Sequence, residues 1–131
     1  MKENIIWQGQ VLCSIIQAQP LPAETAFYTP TEYSLQVGYI VHPAGHQIPR
    51  HIHRPIERRI FGTPEVLIVS KGCCELDVYN DAHQLVASRE LREGDIAIML
   101  AGGHGFRMLK DTVLLEIKQG PYTGLDDQQR F

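Results

Sequence analysis

Residues 65–72 read EVLIVSKG. Successive side chains of an extended chain point to opposite faces, so Glu65, Leu67 and Val69 share one face of a strand that Gly72 then ends with a turn. An acidic side chain thus travels with the core residues of its own strand. The same period of two recurs downstream. Cys74, Leu76 and Val78 alternate with Cys73, Glu75 and Asp77, and Ile96, Ile98 and Leu100 continue the pattern. The run VLLEIK over residues 113–118 closes the series, with Glu116 and Lys118 assigned to the solvent face. Upstream, Tyr33, Leu35, Val37, Tyr39 and Val41 fall on one face against Ser34, Gln36 and Gly38.

Turn chemistry separates these runs. SKGC at 70–73, YNDAH at 79–83 and REGD at 92–95 read as hairpin connections. Eight prolines punctuate the chain too often for a long amphipathic helix. No solenoid-length repeat and no low-complexity linker is present. Many short strands with regular turns predict an all-β antiparallel sandwich or barrel.

At 131 residues the chain is expected to form one domain, 1–131. A formal net charge of −3 excludes the basic footprint of a general nucleic-acid binder. No apolar run approaches the roughly 18 residues that cross a bilayer, so no membrane partner is expected. The opening MKENIIWQGQV lacks the apolar centre of a signal peptide, which predicts a cytoplasmic protein. Three cysteines, two of them adjacent, suit a reducing compartment and buried free thiols rather than a disulfide framework.

Residues 45–53 read GHQIPRHIH. Two residues apart on a strand, His51 and His53 face the same way with Ile52 opposite. Imidazoles aimed into an interior cost desolvation unless something lies between them, and a divalent metal does so well. The competing reading is a pair of partly exposed histidines at a strand end.

The wider spacing adds weight to the metal. Gly45 precedes His51-Ile52-His53 by five residues, Glu65 precedes Gly72 by six, and Gly94 opens a stretch that leads to His104 in GDIAIMLAGGHGF. This order resembles the cupin family over residues 45–106, with N-terminal strands in 4–42 and a C-terminal strand and tail in 111–131. The resemblance implies a single-domain antiparallel β-barrel of jelly-roll (double-stranded β-helix) type. It also implies a divalent metal ion (zinc, iron, manganese or nickel) held by His51, His53, Glu65 and His104. The sequence departs from the family in three ways. Eleven residues separate His53 from Glu65, which leaves Glu57 as a rival carboxylate; the usual proline of the second motif is replaced; and the Asn after the last His is absent.

The segment RPIERRIFGTP at 54–64 lies between proposed ligands and carries Arg54, Arg58 and Arg59, whose guanidinium groups suit a carboxylate or phosphate. A solvated loop pairing with Glu57 is the plainer account. His46, a supporting partner or proton carrier, and Tyr39, an inward-facing phenol, join these arginines as substrate-binding candidates. The apolar run NIIWQGQVLCSII would be a hazard as a bare edge, which predicts a homodimer with its terminal strands covered or paired.

Two functional classes follow. One is a metal-dependent enzyme acting on a small polar, anionic molecule, by isomerase or epimerase chemistry or as a dioxygenase. The other is a non-catalytic cupin that binds such a molecule with a structural metal. The GGHGF and KQGPY stretches look like those of small cupins of bacterial surface-sugar pathways, which implies carbohydrate chemistry.

Overall fold

The computed structural model describes residues 1–124 and 127–131. The strands are β1 (Lys2–Trp7), β2 (Gln10–Ile16), β3 (Ala26–Phe27), β4 (Gly38–Tyr39), β5 (Glu65–Lys71), β6 (Cys73–Tyr79), β7 (Leu85–Arg92), β8 (Ile96–Met99), β9 (Gly103–Met108) and β10 (Val113–Lys118). All pairings are antiparallel, and no helix occurs among the described residues. Among the described residues, therefore, no helix is long and apolar enough to cross a membrane. The chain forms two compact units, one of residues 1–20 with 63–131 and the other of 21–62.

The larger unit holds a five-stranded sheet in the order β1-β2-β8-β5-β10 and a three-stranded sheet in the order β7-β6-β9. Local chemistry makes its hairpins. Gln8 and Gly9 take φ of 47° and 79°, the left-handed pair that a two-residue turn matched to strand twist requires. At the β6–β7 turn, Oδ1 of buried Asn80 accepts the N–H groups of Ala82 and Gln84, each at 3.0 Å, and His83 takes φ of 64°. YNDAH is thus a hairpin turn as expected. SKGC and REGD turn as sharply but pass the chain from one sheet to the other, because β5 pairs with β8 and β10 while β6 pairs with β7 and β9.

The two sheets share one core. Ile5, Leu12, Cys13, Ile15, Leu67, Val69, Ala97 and Met99 of the first sheet's strands pack with Cys74, Leu76, Val78 and Leu91 of the second. Burial of this order supplies the main folding drive, at roughly 25 cal/mol per Å² of apolar surface. All three thiols are free and buried. Along one side, Arg89 of β7 contacts Glu3 of β1 at 2.6 Å and ties the sheet edges together.

β10 reverses one expectation. Its register places Leu114 opposite Val69, Glu116 opposite Leu67 and Lys118 opposite Glu65, so Glu116 and Lys118 share the inner face. Val113, Leu115 and Ile117 point outward and stay half exposed. Period-two alternation defines two faces without saying which is inner. On an edge strand the inner face reaches the rim of the sandwich, where a charged end still meets water.

The smaller unit contains only the β3–β4 pair, Ala26 opposite Tyr39 and Phe27 opposite Gly38. The strand expected over 33–41 shrinks to Gly38–Tyr39. Side chains take the backbone groups that a ladder would use: Gln36 Nε2 donates to the carbonyls of Pro30 and Tyr33, and the Val37 N–H donates to Thr29 Oγ1. Residues 40–64 contain no strand, so the HIH pair does not owe its geometry to a pleat.

Candidate functional site

Glu65 opens β5 at one end of the inner face, between Met99 of β8 and Lys118 of β10. It is the one charged residue among those buried in the described part of the chain. The opposite sheet supplies His104. The Gly94-led strand ends at Met99, and His104 is instead the second residue of the next strand, opposite Val78. Gly102 makes that approach possible: at φ +69° it lies so close to the Tyr79 carbonyl that a side chain would overlap it.

His104 Nε2 and Glu65 Oε2 meet across the two sheets at 3.0 Å, with the side chains 31% and 11% exposed. Oε2 is buried, and His104 Nε2 is the polar atom that faces it across the gap between the sheets. The polar contact from His104 holds the Glu65 carboxyl below the usual carboxylate range, against the opposing effect of burial. The positive fields of His104 and Lys118 and a contact from Glu116 act in the same direction. Lys118 and Glu116 reach the pair because pairing with β5 turns their face of β10 inward, which alternation alone does not specify. The His104 ring also meets Phe106 edge to face at 5.9 Å.

An imidazole nitrogen and a carboxylate oxygen this close share either a proton or a cation. Ligands bonded at about 2.0–2.2 Å and a right angle apart lie about 3 Å from each other. The 3.0 Å spacing is that of a His–Glu hydrogen bond as well as that of two neighbouring metal ligands. Among the described residues, neither unit by itself gathers three or more His, Cys, Asp or Glu side chains in such an arrangement.

The remaining sequence-assigned residues lie in the smaller unit. His51 and His53 hold their ring centroids 5.2 Å apart at 76°. His51 Nδ1 sits 2.8 Å from the Pro49 carbonyl, an acceptor that calls for the proton on Nδ1 and so turns Nε2 away from the backbone. His46 stacks on His42 at 3.9 Å. Tyr39 is half-buried with its ring edge-on to Tyr28 at 6.1 Å. Arg54, Arg58, Arg59 and Glu57 are exposed, and no ion pair joins them among the described residues. The Arg59 guanidinium lies 5.8 Å from the Phe61 ring centre.

A cleft of about 470 Å³ lies elsewhere, lined by Gly72, Cys73, Glu90, Arg92, Glu93, Leu109 and Lys110. Within its wall Glu90 and Arg92 pair with each other at 2.9 Å. Comparison with known proteins returned no matching family, no matching curated protein and no matching solved structure.

Proposed function

We propose that the chain is a metal-binding protein of cupin type that binds or acts on a small anionic molecule. The observation that carries this reading is the buried Glu65 carboxylate, whose Oε2 lies 3.0 Å from His104 Nε2 across the two sheets. The spacing of GHQIPRHIH assigns the other two donors to His51 and His53. The oriented Nε2 of His51 supports that assignment. Three imidazoles and one carboxylate suit zinc, iron, manganese or nickel. An ion bound there would supply Lewis-acid polarisation of a ligand oxygen. Glu65 anchors from the buried end, His104 closes from the opposite sheet, and Lys118 adds positive charge beside them for an anionic ligand. The jelly-roll arrangement belongs to this proposal, supported by two antiparallel sheets around one core.

Catalysis as an isomerase, epimerase or dioxygenase on a carbohydrate-related compound is the enzymatic form of the proposal; the alternative is binding with a structural metal. The test begins with metal-stripped protein reconstituted with Zn²⁺, Mn²⁺, Ni²⁺ or, without oxygen, Fe²⁺. One equivalent should bind, and His51→Ala, His53→Ala, Glu65→Ala and His104→Ala should each weaken it. Stoichiometric metal in the Glu65→Ala and His104→Ala variants would sink the reading, and loss in Glu57→Ala alone would transfer the carboxylate role. Oxygen uptake by the iron form with candidate sugars separates a dioxygenase from the rest. A homodimer is also proposed, supported by the exposed apolar residues of edge strand β10 and tested by light scattering.

A further inference from the structure

Strand β10 closes one end of the five-stranded sheet, and among the described residues no other strand pairs with its far side. The backbone fixes which residues serve that open side. The Gln119 N–H donates to the Pro64 carbonyl at 3.1 Å, one step beyond the Lys118–Glu65 pair. In an antiparallel ladder alternate residues turn both N–H and C=O to the same neighbour, so Gln119, Ile117 and Leu115 bond toward β5. Glu116 and Lys118 therefore turn their backbone groups to the open side. Edge strands are commonly blunted by outward charge, but the outer face here carries Val113, Leu115 and Ile117 at 56%, 50% and 48% exposure.

A second copy of β10 satisfies such an edge, and the side chains select the register. Residues directly opposite share a face, so a two-fold axis that keeps the inner faces together passes through a residue of the strand. An axis at Glu116 sets Glu116 against Glu116, and one at Lys118 sets Lys118 against Lys118; both repel. An axis at Leu115 sets each Glu116 against Leu114, which packs against the core. Of these four axes, only the one at Ile117 sets Glu116 opposite Lys118 of the partner subunit, and it does so twice. The same axis brings Ile117 against Ile117 with each Leu115 diagonally beside it. The residues with open backbone groups are then the oppositely charged ones.

We infer that β10 pairs antiparallel with β10 of a second copy about a two-fold axis at Ile117, so that each copy completes the rim of the other's Glu65–His104 site. The inference rests on the homodimer of the proposed function and gives it a surface and a register. Across the joined sheet, Glu65, Lys118 and Glu116 of the partner subunit form one inner-face row of alternating sign. The partner's carboxylate thus stands beside the ammonium group that is paired with Glu65.

Sedimentation equilibrium of the full chain should show monomers and dimers in exchange. Glu116→Lys and Lys118→Glu each turn attraction into repulsion at both symmetric pairs, and each should weaken the dimer about tenfold, less in high salt. Mixed in equal amounts, the two variants should associate as heterodimers about as tightly as wild type. With diamide as oxidant, Ile117→Cys should cross-link about tenfold faster than Leu115→Cys, because residue 117 meets its own copy at a close, non-hydrogen-bonded pair. The native thiols are all buried. A wild-type dimer that survives both charge reversals unchanged, or that cross-links at 115 rather than 117, would overturn the register and leave the homodimer standing. A mixture that fails to associate would overturn it as well. A wild type that stays monomeric would remove the homodimer and the register together.

Discussion

Replacing Gly102 with alanine should cost this protein a large part of its stability, whereas the same change three residues later should cost almost nothing. At φ +69°, a Cβ on residue 102 would overlap the Tyr79 carbonyl oxygen and reach within 3.4 Å of Leu12 Cδ2. The left-handed backbone alone costs an L-residue about 1–2 kcal/mol. Displacing a backbone carbonyl that cannot rotate away adds about 1–3 kcal/mol, the usual penalty for overfilling a packed region. Together these give a loss of roughly 2–5 kcal/mol. Unfolding entropy near 2.1 cal/mol/K per residue makes about 0.28 kcal/mol/K for this chain, so Tm should fall by about 7–18 °C. At Gly105 nothing lies within 4 Å of a new Cβ and φ is not left-handed, so alanine there should be neutral or slightly stabilising. Urea denaturation followed by circular dichroism measures both. A Gly102→Ala midpoint indistinguishable from wild type, or an equal loss in Gly105→Ala, would refute the reasoning.

Other outcomes follow from the same coordinates. Because the Glu65 carboxyl is held below its ordinary 4.5, the charged form contributes stability that is complete above that value and drains away as pH falls through the folded pKa. Metal-free Glu65→Gln should therefore show a flatter acid limb than wild type in chemical denaturation between neutral pH and pH 3; parallel curves would contradict this. Burial pushes the Cys13 thiol up to about 12, and burial likewise raises Cys74. Both should resist iodoacetamide in native protein and react once urea is added, as mass spectrometry would show. The Glu3–Arg89 pair is short but nearly half exposed, so Arg89→Met should lower stability by at most about 1 kcal/mol, less in high salt. A loss of several kcal/mol would mean that this edge contact is part of the core.

The sequence was most legible where one local rule decided the outcome. Alternation located β5, β6, β8 and β10, and the Asn-Asp turn located the β6–β7 hairpin. It misled where side chains compete with the ladder, as Gln36 and Thr29 do around residues 33–37. It was also silent on which face of β10 is inner, since that depends on pairing with β5 far away in the chain. The contact between Glu65 and His104 lay beyond periodicity altogether, because it joins the ends of strands in different sheets. Motif spacing pointed to both residues without saying that Lys118 and Glu116 would join them.

The strand order of the larger sheet has a consequence for how the molecule is made. β2 finds its inner neighbour only in β8, with Cys13 against Met99, although most of the chain separates them. A ribosome therefore releases the apolar β1–β2 hairpin long before its partner has been synthesised. Until β8 arrives, Leu12, Ile15 and Ile16 have no sheet to join, and such distant pairings are slow to form. Newly made chains should depend on holding chaperones far more than the finished protein's stability would suggest.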